Sequence, residues 1–233
     1  MKNIVILGST GSIGQNTLDV VRQHPETFRV VGLSAYSNAK TLEKQIGEFK
    51  PKMVCLAGMR KQGISRSAAG PRLLAGKEGL LELCVDPCVD LIVMAISGAE
   101  ALAPLLTAVE HKKTVALANK ESLVMAGPLV MRSAADHGAR IIPVDSEQSA
   151  LWQCIGCEEG NKVKNIFLTA SGGPLRELPR AKFRYVTMKQ VLRHPRWRMG
   201  SKITVDSATM MNKGFELLEA MYLFGMPVEA VKV

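Results

Sequence analysis

Over the first 144 residues, short runs rich in Val and Ile alternate with stretches whose apolar residues recur at three- and four-residue spacing. The runs are Asn3–Leu7, Phe28–Ser34, Met53–Ala57, Asp90–Ile96, Thr114–Ala118 and Arg140–Val144. Between most of them lie amphipathic stretches: Leu18 with Val21, then Leu42, Ile46 and Phe49, then Leu102, Leu105, Leu106 and Val109. A strand that is apolar at nearly every position has both faces covered, and helical connections between such strands make them parallel. The pattern predicts an α/β domain on a parallel sheet. Gly58–Gly79, rich in Gly, Ser and basic residues, reads as a surface excursion with little secondary structure.

After Val144 the pattern changes. Ser146–Ile155 reads as a helix, Val163–Thr169 as a strand, Ile203–Asp206 as another strand, and Ser207–Phe224 as one helix ending at Gly225. Val228–Val233 reads as a strand that begins and is cut off, so an unpaired apolar edge and an incomplete chain are expected. The division falls between residues 144 and 145, with a mixed α+β domain after it.

Charge sharpens this picture in one place. The formal net charge is +9, and from Arg176 to Lys202 basic residues recur with Glu177 as the only acid. Such a field favours anionic partners: nucleic acid, a membrane surface or phosphorylated metabolites. The longest apolar run, Leu91–Ile96, is far too short to span a bilayer, and the N-terminus runs straight into a strand without a secretory leader. A cytoplasmic protein with no membrane partner is expected. Nucleic acid is disfavoured because Phe183, Tyr185 and Trp197 are sparse among the basic residues. Cys154 and Cys157 have a metal- or redox-like spacing, but no strand precedes them and no second pair has ribbon spacing. All five cysteines read as reduced and inert.

Two segments carry candidate chemistry. Gly8-Ser-Thr-Gly11-Ser-Ile-Gly14 follows the first strand and opens the first helix, the setting in which glycines let the backbone approach a dinucleotide pyrophosphate. An NAD enzyme places an acid at the end of the second strand. Here Ser34-Ala-Tyr-Ser-Asn38-Ala-Lys40 occupies that place, and no acid lies between Glu26 and Glu43. Hydroxyls, an amide and an ammonium accept a 2′-phosphate, so NADPH is predicted over NADH. The second segment is Asp145-Ser-Glu147, at the carboxyl end of a strand. The two carboxylates either share a cation or belong to an ordinary helix start, Asp145 capping with Gln148. Asn212, Lys213 and Glu216 share one helix face. Ligation by oxygen alone points to Mg²⁺ or Mn²⁺.

Six motifs in order resemble the 1-deoxy-D-xylulose 5-phosphate reductoisomerase family. They are the glycine turn, Ala118-Asn-Lys-Glu-Ser-Leu123, Pro143-Val-Asp-Ser-Glu147, Ala170-Ser-Gly-Gly-Pro174, His194-Pro-Arg-Trp197 with Met199 and Gly200, and Val205 to Gly214. The resemblance implies a Rossmann-like NADPH-binding domain over 1–144 and an incomplete α+β catalytic domain over 145–233, with the helical C-terminal domain missing. It implies that Thr10, Gly11, Ser12, Ile13, Asn38, Asn119, Glu121 and Gly200 contact NADPH. Asp145, Glu147 and Glu216 would hold Mg²⁺ or Mn²⁺. Lys120 and Ser146 would meet the substrate beside the metal, and Ser171, Ser207, Asn212 and Lys213 would bind its phosphate. His194, Trp197 and Met199 would belong to a basic lid over about 172–200, hinged at Gly172-Gly173.

The implied reaction is rearrangement of 1-deoxy-D-xylulose 5-phosphate and its reduction to 2-C-methyl-D-erythritol 4-phosphate, in non-mevalonate isoprenoid synthesis. Lys120, Glu147 and His194 would serve the chemistry, in an enzyme that is a homodimer when full length. Tyr36 and Ser37 depart from the family pattern, which has a glycine and a small or basic residue there. The alternative is an NADP-binding fragment without catalysis.

Overall fold

In a computed structural model of the 233-residue chain, residues 1–58, 70–156, 163–193 and 200–233 are described. The chain divides into two compact units, Met1–Asp145 and Ser146–Val233.

In the first unit the elements follow one another as β1 (Lys2–Leu7), α1 (Ser12–Gln23), β2 (Phe28–Ala35), α2 (Ala39–Phe49), β3 (Met53–Leu56), β4 (Arg72–Ala75), α3 (Gly76–Val85), β5 (Leu91–Met94), α4 (Leu102–Glu110), β6 (Thr114–Leu117), α5 (Lys120–His137) and β7 (Arg140–Pro143). The strands form a seven-stranded sheet in the order β4-β3-β2-β1-β5-β6-β7. Every pairing in it is parallel, as the apolar runs predict. Ile4, Ile6 and Leu33 of the sheet pack with Leu18 of α1 and Leu42 of α2 in one core cluster. The order reverses between β1 and β5, and ligands of open α/β sheets bind outside the carboxyl ends at such a switch. The turn after β1 and the loop after β5 therefore meet at the place where a dinucleotide is expected.

The surface excursion is corrected in part. Its described end contains β4, paired with β3 from Met53↔Arg72 to Leu56↔Ala75, and the start of α3. Leu73, Leu74 and Ala75 make a strand too short for the flanking glycines and basic residues to be outvoted. Residues 59–69 lie outside the description.

The second unit holds α6 (Ser146–Gly156), β8 (Ile166–Phe167), α7 (Met188–Val191), α8 (Ser201–Ala208), α9 (Met211–Phe224) and β9 (Val231–Lys232). Three expectations fail here, and a fourth is narrowed. Ile203–Asp206 is not a strand but the middle of α8. The β-branched run is overruled because Thr204 is buried and its hydroxyl donates to the Gly200 carbonyl at 2.9 Å, one helical turn back. The single helix expected over Ser207–Phe224 is broken at Met210, whose φ of +62° is left-handed, so α8 and α9 are separate. The predicted strand at 163–169 narrows to β8. The chain end is not an unpaired edge: a short 3₁₀ turn at Val228–Ala230 leads into β9, which pairs parallel with β8, and Val231 is buried.

Candidate functional site

The turn after β1 is packed against its own helix. A Cβ on Gly14 would lie 2.4 Å from the Gly8 carbonyl oxygen and 2.5 Å from Ser9 Cα, so only glycine lets α1 start this close to β1. Gly11 differs: a Cβ there would meet nothing nearer than the Gly8 oxygen at 3.4 Å. Gly11 stands at the N-cap of α1 and no side chain caps the helix. Gly11, Ser12 and Ile13 are exposed and Thr10 is half-buried. The open start of α1 offers amides and a positive dipole end to an anion.

Beneath the turn lies a polar brace that the sequence reading missed. Ser9 is fully buried; its hydroxyl reaches Gln45 Oε1 at 2.7 Å and the Ser34 carbonyl at 3.1 Å. Gln45 Nε2 donates to the Ser9 carbonyl at 2.9 Å, and the Gly8 amide donates to Ser34 Oγ at 3.0 Å. Ser34 is therefore buried and engaged with the turn, unlike Tyr36, Ser37, Asn38 and Lys40 just beyond it, which are exposed. Asn38 caps α2, accepting from the Thr41 amide at 3.1 Å.

At the end of β6, Asn119 caps α5 through its side-chain oxygen, which accepts from the Ser122 amide at 2.8 Å. Its Nδ2 reaches the Ile96 and Gly98 carbonyls at 2.9 and 3.0 Å and Glu121 Oε2 at 3.0 Å. Asn119 thus ties the loop after β5 to the start of α5, which presents Lys120 and Glu121. Lys120 is buried, and its ammonium lies 3.1 Å from Asp145 Oδ1 at the end of β7. The other oxygen, Oδ2, is buried without a hydrogen-bond partner among the described residues.

In the second unit the charged residues of α6 and α9 meet. Lys213 Nζ lies 3.0 Å from Glu147 Oε1 and also donates to Glu216 Oε2 and the Thr169 carbonyl. Lys213 and Glu216 are only 6% and 2% exposed, so each would be costly to bury alone. Asn212 Nδ2 donates to the remaining Glu216 oxygen, and Ser146 Oγ donates to Glu147 Oε2 at 2.6 Å. Glu147 and Glu216 offer oxygens within 4.8 Å of each other. Burial pushes the Glu147 carboxyl up, but the Ser146 hydroxyl and the Lys213 ammonium outweigh it and hold the group below the ordinary carboxylate range. Gln148, read from sequence as a capping partner, is instead fully buried and donates to the Glu216 carbonyl at 2.8 Å, joining α6 to α9. Nothing in its sequence setting marked that role.

The residues expected at a phosphate divide into two groups. Gly173 lies so close to α8 that a Cβ would sit 2.3 Å from the Ser207 carbonyl oxygen, which brings the Ser171 loop against Ser207. Ser171 Oγ accepts from the Gly173 amide at 3.3 Å. Asn212 and Lys213, by contrast, are turned to the Glu216 carboxylate. Gly200 caps α8 and is exposed. His194, Trp197 and Met199 lie outside the described residues, as does Cys157. Burial pushes the Cys55 and Cys84 thiols up to about 12, in keeping with the expectation that they are inert. Among the described residues, no helix is long and apolar enough to cross a membrane.

Comparison with known proteins gives a consistent pattern. Residues 4–127 match the model of the 1-deoxy-D-xylulose 5-phosphate reductoisomerase family, and residues 141–224 match that of its C-terminal domain. The chain is 47% identical to the 1-deoxy-D-xylulose 5-phosphate reductoisomerase of Bacillus cereus (strain Q1), over all of this chain and 62% of that one. A crystal structure of DOX-P reductoisomerase with NADPH, fosmidomycin and magnesium superposes with a TM-score of 0.94 at 40% identity, covering 100% of this chain and 60% of that one. The Zymomonas mobilis enzyme with NADPH gives 0.87 at 38% identity, covering 99% and 60%. The chain thus spans about 62% of the length of the curated relatives it matches.

Proposed function

The chain belongs to the 1-deoxy-D-xylulose 5-phosphate reductoisomerase family, and from that premise we propose that it acts in the reaction of that name. The substrate is 1-deoxy-D-xylulose 5-phosphate, NADPH is the reductant, and the product is 2-C-methyl-D-erythritol 4-phosphate. The observation that carries this reading is the meeting of Glu147, Glu216 and Lys213, with a buried Asp145 oxygen, two residues before Glu147, that has no hydrogen-bond partner among the described residues.

Those residues fit a hard divalent cation. The donors are all oxygen, each carboxylate oxygen has a second lone pair, and Asp145 Oδ2 lacks a partner among the described residues. Asp145, Glu147 and Glu216 would hold Mg²⁺ or Mn²⁺, which when bound polarises the substrate's carbonyl and neighbouring hydroxyl. The turn fits NADPH equally well, since Gly11 leaves room above an uncapped helix start. Thr10 to Ile13 take the pyrophosphate, and Asn38, Asn119, Glu121 and Gly200 complete the cofactor contacts. The acid-free end of β2 favours the 2′-phosphate of NADPH over NADH.

The chain's other residues bind and orient. Lys120 carries a buried ammonium, paired with Asp145, for a substrate oxygen, and Ser146 lies beside it in the chain. Ser171 and Ser207 offer hydroxyls to the phosphate, joined by Asn212 and Lys213. His194 and Trp197 would meet the substrate from the basic stretch at about 172–200. The working enzyme is a cytoplasmic homodimer.

Glu147→Gln tests the reading, because it keeps the shape and removes one negative charge. NADPH oxidation with substrate should fall to background and Mn²⁺ affinity should drop, while NADPH binding is retained. Near-normal turnover at limiting metal would overturn the cation assignment. A second reading is an NADP-binding chain that does not turn over. NADPH binding without oxidation in the unaltered 233-residue protein would establish it.

A further inference from the structure

We propose that Gln45 is a positioning residue for the cofactor turn, holding Gly8 to Gly11 in the shape that leaves the start of α1 open. The inference rests on the reading that this turn receives the pyrophosphate of NADPH.

Gln45 stands in the buried stripe of α2, between Leu42 and Ile46, and is 5% exposed. A primary amide buried on an apolar stripe is unfavourable unless its hydrogen bonds are made. A leucine or methionine there would suit the helix as well, so the reason for glutamine lies in what it touches. It touches Ser9 twice: Nε2 donates to the Ser9 carbonyl at 2.9 Å, and Oε1 accepts from the Ser9 hydroxyl at 2.7 Å. The direction of the amide follows from the chemistry. The Ser9 carbonyl can only accept, so the nitrogen must face it and the oxygen must face the hydroxyl.

The remaining backbone of the turn is held from the same side. The amides of Gly8 and Ser9 donate to the Ser34 carbonyl at 3.2 and 2.8 Å, and the Gly11 amide donates to the Gly8 carbonyl at 3.1 Å. Gln45 thereby satisfies the Ser9 carbonyl, and the polar groups beneath the turn are satisfied without recourse to the first amides of α1. No side chain caps α1, so its first amides are left for an anion. Without Gln45 the Ser9 carbonyl loses its side-chain donor, and the turn gains a reason to rotate toward water.

The test is calorimetric titration of NADPH into the 233-residue protein and three variants, at a temperature well below melting. Gln45→Met matches the length of the side chain and removes both hydrogen bonds. It should raise the NADPH Kd about tenfold, the equivalent of one lost buried hydrogen bond. Ser9→Ala removes only the hydroxyl and should raise the Kd by a smaller factor, about threefold. Leu42→Val lowers the melting temperature from the same helix without touching the turn, and should leave the Kd within about twofold. A Kd unchanged in both Gln45→Met and Ser9→Ala would overturn the proposal, as would an equal weakening by Leu42→Val. Failure of the unaltered chain to bind NADPH would overturn the reading of the turn itself, and this proposal with it.

Discussion

Around the turn after β1 the buried polar side chains are Ser9, Ser34 and Gln45, all neutral, whereas at the start of α9 they are Lys213 and Glu216, both charged. The neutral brace needs no counter-ion and leaves its surface open, so an anion can arrive without displacing anything. The charged cluster is compensated internally: Lys213 serves Glu147 and Glu216, and Asn212 takes the other Glu216 oxygen. A cation arriving there meets carboxylates that already have partners. One region is held by neutral hydrogen bonds beneath an open face. The other holds an ammonium among its carboxylates, which offsets their mutual repulsion.

Four changes would break or sharpen this contrast. The largest effect is expected from Lys213→Met, which leaves two carboxylates facing each other in a largely buried site. It should cost about 3 kcal/mol in urea unfolding of the second unit. Added Mg²⁺ should restore part of that loss by supplying the missing positive charge. Equal loss with and without Mg²⁺ would show that the carboxylates do not act as one cation site.

On the neutral side, two glycines three residues apart should behave differently. Gly14→Ala forces a Cβ against backbone at 2.4 Å and should cost about 2 kcal/mol, with weaker NADPH binding. Gly11→Ala meets only ordinary contacts, so stability should stay within about 0.5 kcal/mol while NADPH affinity falls, because the methyl group occupies the open side. Thermal melts with and without NADPH separate the two. Equal stability losses would mean that the turn is not packed in the way its brace implies.

The smallest effect concerns pH. The Glu147 carboxyl is held below its ordinary value, so its contribution to stability is present above the ordinary carboxylate range. It is lost as pH falls through the lowered value in the folded state. Half-burial and solvent screening limit that contribution to about 1 kcal/mol or less. Glu147→Gln should flatten the acid side of the melting-temperature profile and leave the neutral side nearly unchanged. An unaltered acid limb would mean that Lys213 and Ser146 do not stabilise the ionised form.

Much of the first unit could be read directly from its residues. The alternation of apolar runs and amphipathic stretches implies the parallel sheet, because a strand buried on both faces and a helix buried on one leave different spacings in the chain. The glycine turn is equally legible, since its glycines and the helix it opens lie within a few positions of each other. Short elements were not: β4 lies in polar company, and α8 carries β-branched residues in a helical setting that Thr204 and Gly200 decide together.

By itself, then, the sequence determined most of the strand and helix pattern of the first unit and the position of the glycine turn that opens α1. Tertiary structure alone decided which polar side chains meet. Gln45 lies 36 residues from Ser9, Gln148 lies 68 from Glu216, and Lys213 lies 66 from Glu147. Periodicity places a residue on the buried side of its own helix but carries no information about the partner it finds there. Buried polar groups must be paired within the molecule, and a distant residue supplies the partner only when the packing of the whole unit delivers it.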